Sequence, residues 1–180
     1  LVGSEMCIRD SIWISQFKKM SGLAYDKADT VTSLYGHARE LQIELGCPPE
    51  KTIITPNGID VYRLANIGGK LPEDEGRINI GAVLRVTPIK DVKTMIQAFA
   101  FAKAKEPRLK LWIMGPWDED EEYAKECFEL SETLGLSEDI EFTGRINIKD
   151  YLGRMDMTIL TSVSEGQPLT ILESLSLIHI

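Results

Sequence analysis

The carboxyl-terminal part of the chain carries two glutamates whose spacing suits the recognition of hydroxyl groups. Glu165 and Glu173 have seven residues between them, with Gly166 and Pro168 in the intervening turn. A carboxylate accepts two hydrogen bonds side by side, which matches adjacent hydroxyls of a sugar or a ribose. The pair therefore suits the two ends of a nucleotide sugar. A plainer interpretation also stays open, in which Glu165 is an ordinary loop acid and Glu173 is an exposed helix residue.

The pattern around these glutamates predicts a strand, a loop and a helix. Residues 157–161 form a short run of β-forming and apolar residues, and Gly166 and Pro168 lead into a helical pattern. In an open α/β sheet, the loop after a strand lies at the carboxyl edge, where ligands bind. The free N–H groups of the following helix then suit an anion such as phosphate.

A second cluster places two cations in a proline-bent loop. Arg85 and Lys90 lie five positions apart around Pro88, at the end of a buried strand predicted over residues 78–86 and in the loop that follows it. A planar guanidinium and a mobile ammonium both suit the oxygens of a diphosphate, and Asp91 is expected to be the N-cap of the next helix. The alternative is two solvated charges. The two clusters can meet only if their strands are neighbours in the sheet, an order that the sequence does not specify.

The remaining pattern alternates strands with helices, which predicts a parallel sheet with right-handed crossovers. We expect strands over residues 28–34, 52–55, 78–86, 109–114, 140–143 and 157–161, and helices over residues 12–27, 36–45, 91–105, 119–134, 147–152 and 168–173. Residues 60–76 lack a clear period and collect glycine, proline and acids, so a linker or exposed loop is predicted there.

Composition and charge narrow the function classes. The 180 residues are 43% hydrophobic and 27% charged, an ordinary globular composition. A formal net charge of -8 argues against a nucleic-acid or anionic-membrane surface, although a local basic pocket remains compatible with it. No apolar run approaches the length of a membrane span. The three cysteines lack metal-ligand spacing, so a reduced, cytoplasmic protein is expected.

Several of these segments together resemble a known family. Residues 85–91, Gly115, Thr143 with Gly144, and the spacing from Glu165 to Glu173 resemble the carboxyl-terminal donor domain of retaining glycosyltransferases of family 4, which have the two-domain GT-B fold. The sequences of residues 86–94, 115–120 and 161–165 are similar to those of the branch that includes the Pel exopolysaccharide glycosyltransferase. Residues 53–60 resemble the interdomain connection of the family. The resemblance covers about residues 13–173.

The resemblance implies an α/β fold with a Rossmann-like parallel sheet: the truncated carboxyl-terminal domain of a GT-B fold plus a remnant of the amino-terminal domain. The expected segments are a non-native end (1–11), a remnant of the acceptor domain with the connection (12–59), a linker or loop (60–76), the truncated donor domain (77–175) and a second non-native end (176–180). Both ends resemble translated sequencing-adapter read-through, so an internal fragment of a longer protein is expected, inactive by itself.

The same resemblance implies roles for individual residues. Arg85 and Lys90 would hold the donor diphosphate and stabilise the leaving group, and Glu165 would contact the donor sugar, which makes these three the expected catalytic set. Glu173 would contact the ribose. The expected donor-binding set is Arg85, Lys90, Gly144, Arg145, Ile146, Glu165, Gly166, Gln167, Pro168, Leu169 and Glu173, with residues 144–146 beside the base and residues 166–169 beside sugar and phosphate.

The implied reaction is transfer of a sugar from a nucleotide sugar, with UDP-glucose implied by resemblance alone, to a growing polysaccharide or glycan with retention of configuration. No metal or other cofactor is expected, because the cations supply the positive charge. The implied partners are the nucleotide sugar, a glycan acceptor and membrane-associated polysaccharide-synthesis proteins, and no nucleic acid. Two alternatives stay open: a sugar-nucleotide epimerase of the same fold, and a non-catalytic nucleotide-binding module.

Overall fold

The computed structural model of the chain describes residues 3–64 and 67–177, and their side chains from residue 15 onward. The chain divides into two compact units, of which the first ends at Asn57 and the second begins at Gly58. Within the described residues, no helix combines the length and the apolar character that crossing a membrane requires.

The first unit contains two helices and a small parallel sheet. Its elements are α1 (Gly3–Lys27), β1 (Val31–Ser33), α2 (Gly36–Glu44) and β2 (Thr52–Ile54). β1 and β2 pair in parallel, with Val31 opposite Thr52. All four elements were predicted in type. The helix α1 begins earlier than the predicted residue 12, and β1 is shorter than the predicted residues 28–34.

The second unit is built on a four-stranded parallel sheet in the order β5-β4-β3-β6. The predicted alternation of strands and helices is confirmed here. The elements in chain order are α3 (Val61–Leu64), β3 (Ile78–Val83), α4 (Val92–Lys103), β4 (Leu109–Met114), α5 (Glu121–Thr133), β5 (Ile140–Gly144), α6 (Lys149–Leu152), β6 (Met157–Thr158) and α7 (Leu169–Ser176).

The core of this unit lies between the central strands and the apolar faces of α4 and α5. Helix α4 buries Val92, Met95, Ile96 and Phe99, as its sequence period predicts, and it packs on β4 and α5. Helix α5 buries Tyr123, Ala124, Cys127 and Ser131. The helical period of residues 119–134 predicts that Leu134 also faces inward, and this prediction is wrong. Leu134 follows the end of α5, and 41% of its surface is exposed.

Several element boundaries differ from the predictions. Strand β6 has two residues instead of the five predicted over residues 157–161. Strand β3 ends at Val83 instead of at the predicted residue 86. The N–H of Val86 still bonds to the Pro116 carbonyl at 2.9 Å, so hydrogen bonding to the segment after β4 continues beyond the regular strand. The sequence predicts Asn147 as the N-cap of the helix over residues 147–152, but α6 has Ile148 at its N-cap. The Asn147 Oδ1 accepts from the Lys149 N–H at 3.4 Å.

The interpretation of residues 60–76 as a linker or exposed loop needs two corrections. Residues Val61–Leu64 form α3, with Leu64 buried, and Pro72–Asp74 form a 3₁₀ turn in which Asp74 is fully buried. The Asp74 carboxylate accepts hydrogen bonds from Arg154 Nε at 2.8 Å and Nη2 at 2.9 Å, and from the Leu71 N–H at 2.9 Å. The Arg154 guanidinium is the largest of the causes that hold the pKa of this carboxyl far below its usual range.

Asn79 of β3 extends this buried polar cluster across the sheet. Its amide nitrogen donates to Asp74 Oδ1 at 2.9 Å and to the Arg154 carbonyl at 3.1 Å, and its Oδ1 accepts from Trp112 Nε1 at 3.2 Å. The main chain of Asn79 exchanges two further bonds with Asp156, the residue before β6. These contacts fasten the segment before β3, the strands β3 and β4, and the entry to β6 to one another.

We predict that Asp74→Ala lowers the free energy of unfolding by about 3–5 kcal/mol, because it leaves the buried Arg154 guanidinium without its main partner. Urea denaturation monitored by circular dichroism measures the loss. Glu73→Ala is the matched control, since Glu73 contacts the same guanidinium at 2.8 Å but has a side chain that is 65% exposed. This control is expected to cost less than about 1 kcal/mol. Equal losses in the two variants would contradict the buried role of Asp74.

The pH dependence of stability gives a second test of the same pair. The folded-state pKa of Asp74 is lowered. Its contribution to the free energy of unfolding is therefore complete above the unfolded carboxyl value of about 4 and is lost as the pH falls further, through the folded pKa. Asp74→Asn should flatten the stability profile below that value. A profile that stays unchanged would show that Asp74 does not gain stability from its charge.

Candidate functional site

The sheet order brings the two sequence clusters to one edge. Strands β3 and β6 are parallel neighbours, with Ile80 opposite Met157, so the loops that follow them leave the sheet at the same carboxyl edge. Two contacts then join these loops. The N–H of Val163 bonds to the Ile89 carbonyl at 2.9 Å, and Thr161 Oγ1 lies 3.1 Å and 3.0 Å from the carbonyl oxygens of Lys90 and Asp91.

Lys90 and Glu165 form an ion pair between these loops. The Lys90 ammonium donates to Glu165 Oε1, and the two side chains are only 17% and 24% exposed. The hydrogen bond from Lys90 is the largest cause that lowers the pKa of the Glu165 carboxyl from its ordinary value. The Glu165 carboxyl is therefore held in its charged form near neutral pH.

Arg85 lies near the start of the loop that carries Lys90 and has a carboxylate partner of its own. Its Nη1 is 2.9 Å from Glu119 Oε2, and both side chains reach solvent. In the same loop after β4, Asp118 Oδ1 is 3.2 Å from Arg145 Nη2. Neither acid was predicted as a site residue. The run of acids that begins a few residues after a predicted strand was a visible signal, but the sequence does not specify a partner for each acid.

The turn between Arg85 and α4 has the predicted N-cap. Asp91 adopts a left-handed conformation (φ 47°), and its side chain accepts from the Thr94 N–H at 3.3 Å. It is the one non-glycine residue of the described chain with a positive φ. The Thr161 hydroxyl lies against the carbonyl oxygen of this strained residue, which fixes the corner that carries Lys90. No pattern in the sequence indicates that Thr161 would make this contact.

A cleft of about 400 Å³ opens between these loops and the start of α7. Five residues of the predicted donor-binding set line it, and the rest of its wall comes from the ends of β3 and β4 and from the α7 entry. The lining residues are Val83, Leu84, Arg85, Lys90, Met114, Gly115, Pro116, Leu160, Glu165, Pro168, Leu169 and Thr170. Cations, a carboxylate and helix N–H groups thus face one space, which suits an anionic ligand that also carries hydroxyls.

The other predicted site residues lie outside this lining. Gly144 ends β5, with its carbonyl accepting from the Gly115 N–H at 3.0 Å, and Arg145 and Ile146 follow it. Gly166 and Gln167 lie in the loop between Glu165 and α7. Glu173 is half-buried in α7, one turn beyond the part of the helix that lines the cleft.

Metal-ligating side chains do not cluster in the part of the chain that the structure describes: no group of three or more histidine, cysteine, aspartate or glutamate side chains there is placed to hold an ion.

An α/β unit with a parallel sheet and a polar cleft at its carboxyl edge defines the class of α/β ligand-binding domains. Comparison with protein families is more specific. Residues 65–177 match the model of the family described as "Glycosyl transferases group 1", and residues 3–50 match a domain of unknown function, DUF3492. The chain belongs to the group 1 family of glycosyl transferases.

Curated relatives carry names of the same kind. The chain is 28% identical to an alpha-monoglucosyldiacylglycerol synthase of Streptococcus pneumoniae, over 77% of this chain and 33% of that protein. It is 25% identical to a putative colanic acid biosynthesis glycosyltransferase, WcaL, of Salmonella typhimurium, over 73% of this chain and 33% of that protein. The chain thus spans about a third of the length of each relative.

Solved structures share the fold. The crystal structure of Anabaena Alr3699/HepE in complex with UDP and glucose has a TM-score of 0.76 at 21% identity, over 88% of this chain and 45% of that chain. Further crystal structures of the Anabaena protein are complexes with UDP and with UDP-glucose. A glycosyltransferase from Rickettsia africae has a TM-score of 0.76 at 20% identity, over 89% of this chain and 45% of that chain. The α/β fold is that of GT-B glycosyltransferase structures.

We predict that Gly115→Ala lowers the free energy of unfolding by about 2–4 kcal/mol, because position 115 tolerates no side chain. Gly115 has a φ of 144°, and an added Cβ would lie 2.0 Å from the Leu84 carbonyl oxygen. Gly135→Ala is the control. That residue has a φ of 70° with open space around it, so the expected cost is about 1–2 kcal/mol of backbone strain alone. Thermal and urea denaturation measure both. Equal costs would mean that the backbone at the cleft moves aside.

Proposed function

We propose that this chain carries the donor-binding half of a retaining glycosyltransferase that uses a nucleotide sugar. The observation that supports this most directly is the convergence of Arg85, Lys90 and Glu165 on one cleft beside the start of α7. A nucleotide sugar presents a diphosphate and a ring of hydroxyls next to each other. The cleft offers cations and helix N–H groups for the former and a carboxylate for the latter.

In this proposal the two cations act on the leaving group. When the bond between the anomeric carbon and the diphosphate oxygen lengthens, negative charge grows on the phosphate. Arg85 and Lys90 would stabilise that charge, which lowers the barrier without a metal ion. Retention of configuration would follow from attack by the acceptor on the same face of an oxocarbenium-like sugar. Glu165 would orient the sugar hydroxyls while its ion pair keeps Lys90 in place.

We propose UDP-glucose as the donor and a growing polysaccharide or glycan as the acceptor. The donor is supported by the UDP and UDP-glucose complexes of a protein with the same fold. The acceptor class is supported by the name of the colanic acid relative and by the resemblance to family 4 and its Pel-like branch. The finer site assignments belong to the same proposal: residues 144–146 beside the base, Glu173 on the ribose and residues 166–169 along sugar and phosphate.

The cellular setting is part of the proposal. Cys47 and Cys127 are free and buried, which supports a reducing compartment such as the cytoplasm. Burial raises the pKa of the Cys127 thiol to about 11, so this cysteine is an inert packing residue. Membrane-associated polysaccharide-synthesis proteins are the proposed partners.

The first test is calorimetric titration of the 180-residue chain with UDP, GDP and ADP in metal-free buffer. We expect one nucleotide, UDP, to bind. Arg85→Ala combined with Lys90→Ala should abolish this binding, because each lost charged hydrogen bond costs about 1.5–3 kcal/mol. Lys125→Ala combined with Lys110→Ala is the matched control for net charge, since neither lysine lines the cleft. A chain that is folded by circular dichroism and binds none of the three nucleotides would contradict the proposal.

The second test separates the roles of the two glutamates. Glu173→Ala should weaken UDP and UDP-glucose alike, by about 1.5–3 kcal/mol, because it removes a proposed contact to the ribose. Glu165→Ala should weaken only UDP-glucose, since Glu165 would contact the sugar. Its removal also frees the Lys90 ammonium, so UDP should bind at least as tightly as before. Equal losses of UDP affinity in the two variants would contradict the assigned roles.

A further inference from the structure

The loop between β4 and α5 supplies a carboxylate to each of two neighbouring strand ends. Glu119 pairs with Arg85, which follows β3, and Asp118 pairs with Arg145, which follows β5. Strand β4 lies between β3 and β5 in the sheet, so its loop reaches both neighbours. Both arginines proposed to face the donor are therefore paired with consecutive acids of one loop.

We propose that Glu119 is the resident counter-ion of Arg85 and sets the affinity of the cleft for the donor diphosphate. Arg85 lines the cleft and Glu119 does not. A diphosphate that binds Arg85 must therefore draw the guanidinium away from Glu119 or share it. This inference rests on the proposed function, because it assumes that the diphosphate occupies the cleft. It assigns to Glu119 a role that opposes binding, in contrast to the cations.

The exposure of the pair makes this exchange feasible. The Arg85 and Glu119 side chains are 58% and 35% exposed, whereas those of Lys90 and Glu165 are 17% and 24% exposed. An exposed ion pair contributes little to stability, and the guanidinium can change partners at small cost. The Lys90 pair is more enclosed and would stay in place. Arg85 is thus the adaptable cation of the site and Lys90 the fixed one.

Charge decides which ligands can compete with Glu119. A diphosphate brings more negative charge than a single carboxylate and offers two acceptors to the guanidinium fork. Glu119 also repels any anion in the cleft through space, and salt screens that repulsion. Removing the charge of Glu119 should therefore strengthen binding of UDP, with the largest gain at low ionic strength. It should leave binding of uncharged uridine unchanged.

The experiment compares Glu119→Gln with Glu129→Gln by calorimetric titration with UDP and with uridine. Glu129 pairs with Lys125 on the exposed side of α5, so this variant removes the same charge without touching the cleft. We expect Glu119→Gln to bind UDP about three- to fivefold more tightly at low salt, with the gain shrinking at high salt. Glu129→Gln should bind like the wild type.

A double variant separates the possible failures. With Arg85→Ala present, adding Glu119→Gln should strengthen UDP binding less than it does in the wild-type background, because the cation for which Glu119 and the diphosphate compete is gone. Weaker or unchanged UDP binding by Glu119→Gln, in a chain whose wild type binds UDP, would overturn this inference alone. A folded wild type that binds no UDP would overturn the proposed function, and this inference with it.

Discussion

The pairing of β3 with β6 is the constraint on which the cleft depends, because it makes neighbours of two loops that are far apart in the sequence. The ladder between these strands is only two residue pairs long. What secures it is the polar cluster at its amino end, where Asn79 binds Asp74, the Arg154 carbonyl and Asp156. A buried amide with specific partners in the segments that precede both strands fixes the register, and a shift by one residue would leave charged groups buried and unpaired.

The two ends of the same strand pair hold ion pairs of different character. At the amino end, the Asp74 carboxylate is fully buried and accepts from Arg154, Asn79 and the main chain, so little of its bonding capacity is left for a ligand. At the carboxyl end, Lys90 and Glu165 are partly open to a cleft. A saturated buried network suits a structural role, whereas an ion pair with remaining capacity suits binding. The difference in saturation, and not the residue types, separates framework from candidate site.

Sequence patterns predicted the elements well where local physics decides them. Strand β4 matches its predicted residues 109–114, and Asp91 is the predicted N-cap of α4. The failures have non-local causes. Residues 60–76 carry no period, yet Asp74 is buried because Arg154, eighty positions later, binds it. The short β6 and the partner of Arg85 likewise depend on strand order. The types of the cleft residues were readable from the sequence, but their convergence was not.

The acidic character of the chain is compatible with an anionic ligand because its charges act locally. The formal net charge is -8, yet in the cleft region each of Arg85, Lys90 and Arg145 already has a carboxylate within ion-pair distance. Screening limits the reach of the distant acids to about 10 Å at ordinary ionic strength. An anion that enters the cleft therefore finds cations that are already paired with carboxylates. It must compete with these carboxylates by geometry as well as by charge. A diphosphate can present acceptors to two cations at once, which a single carboxylate cannot do. This favours a diphosphate over simple anions in the same cleft.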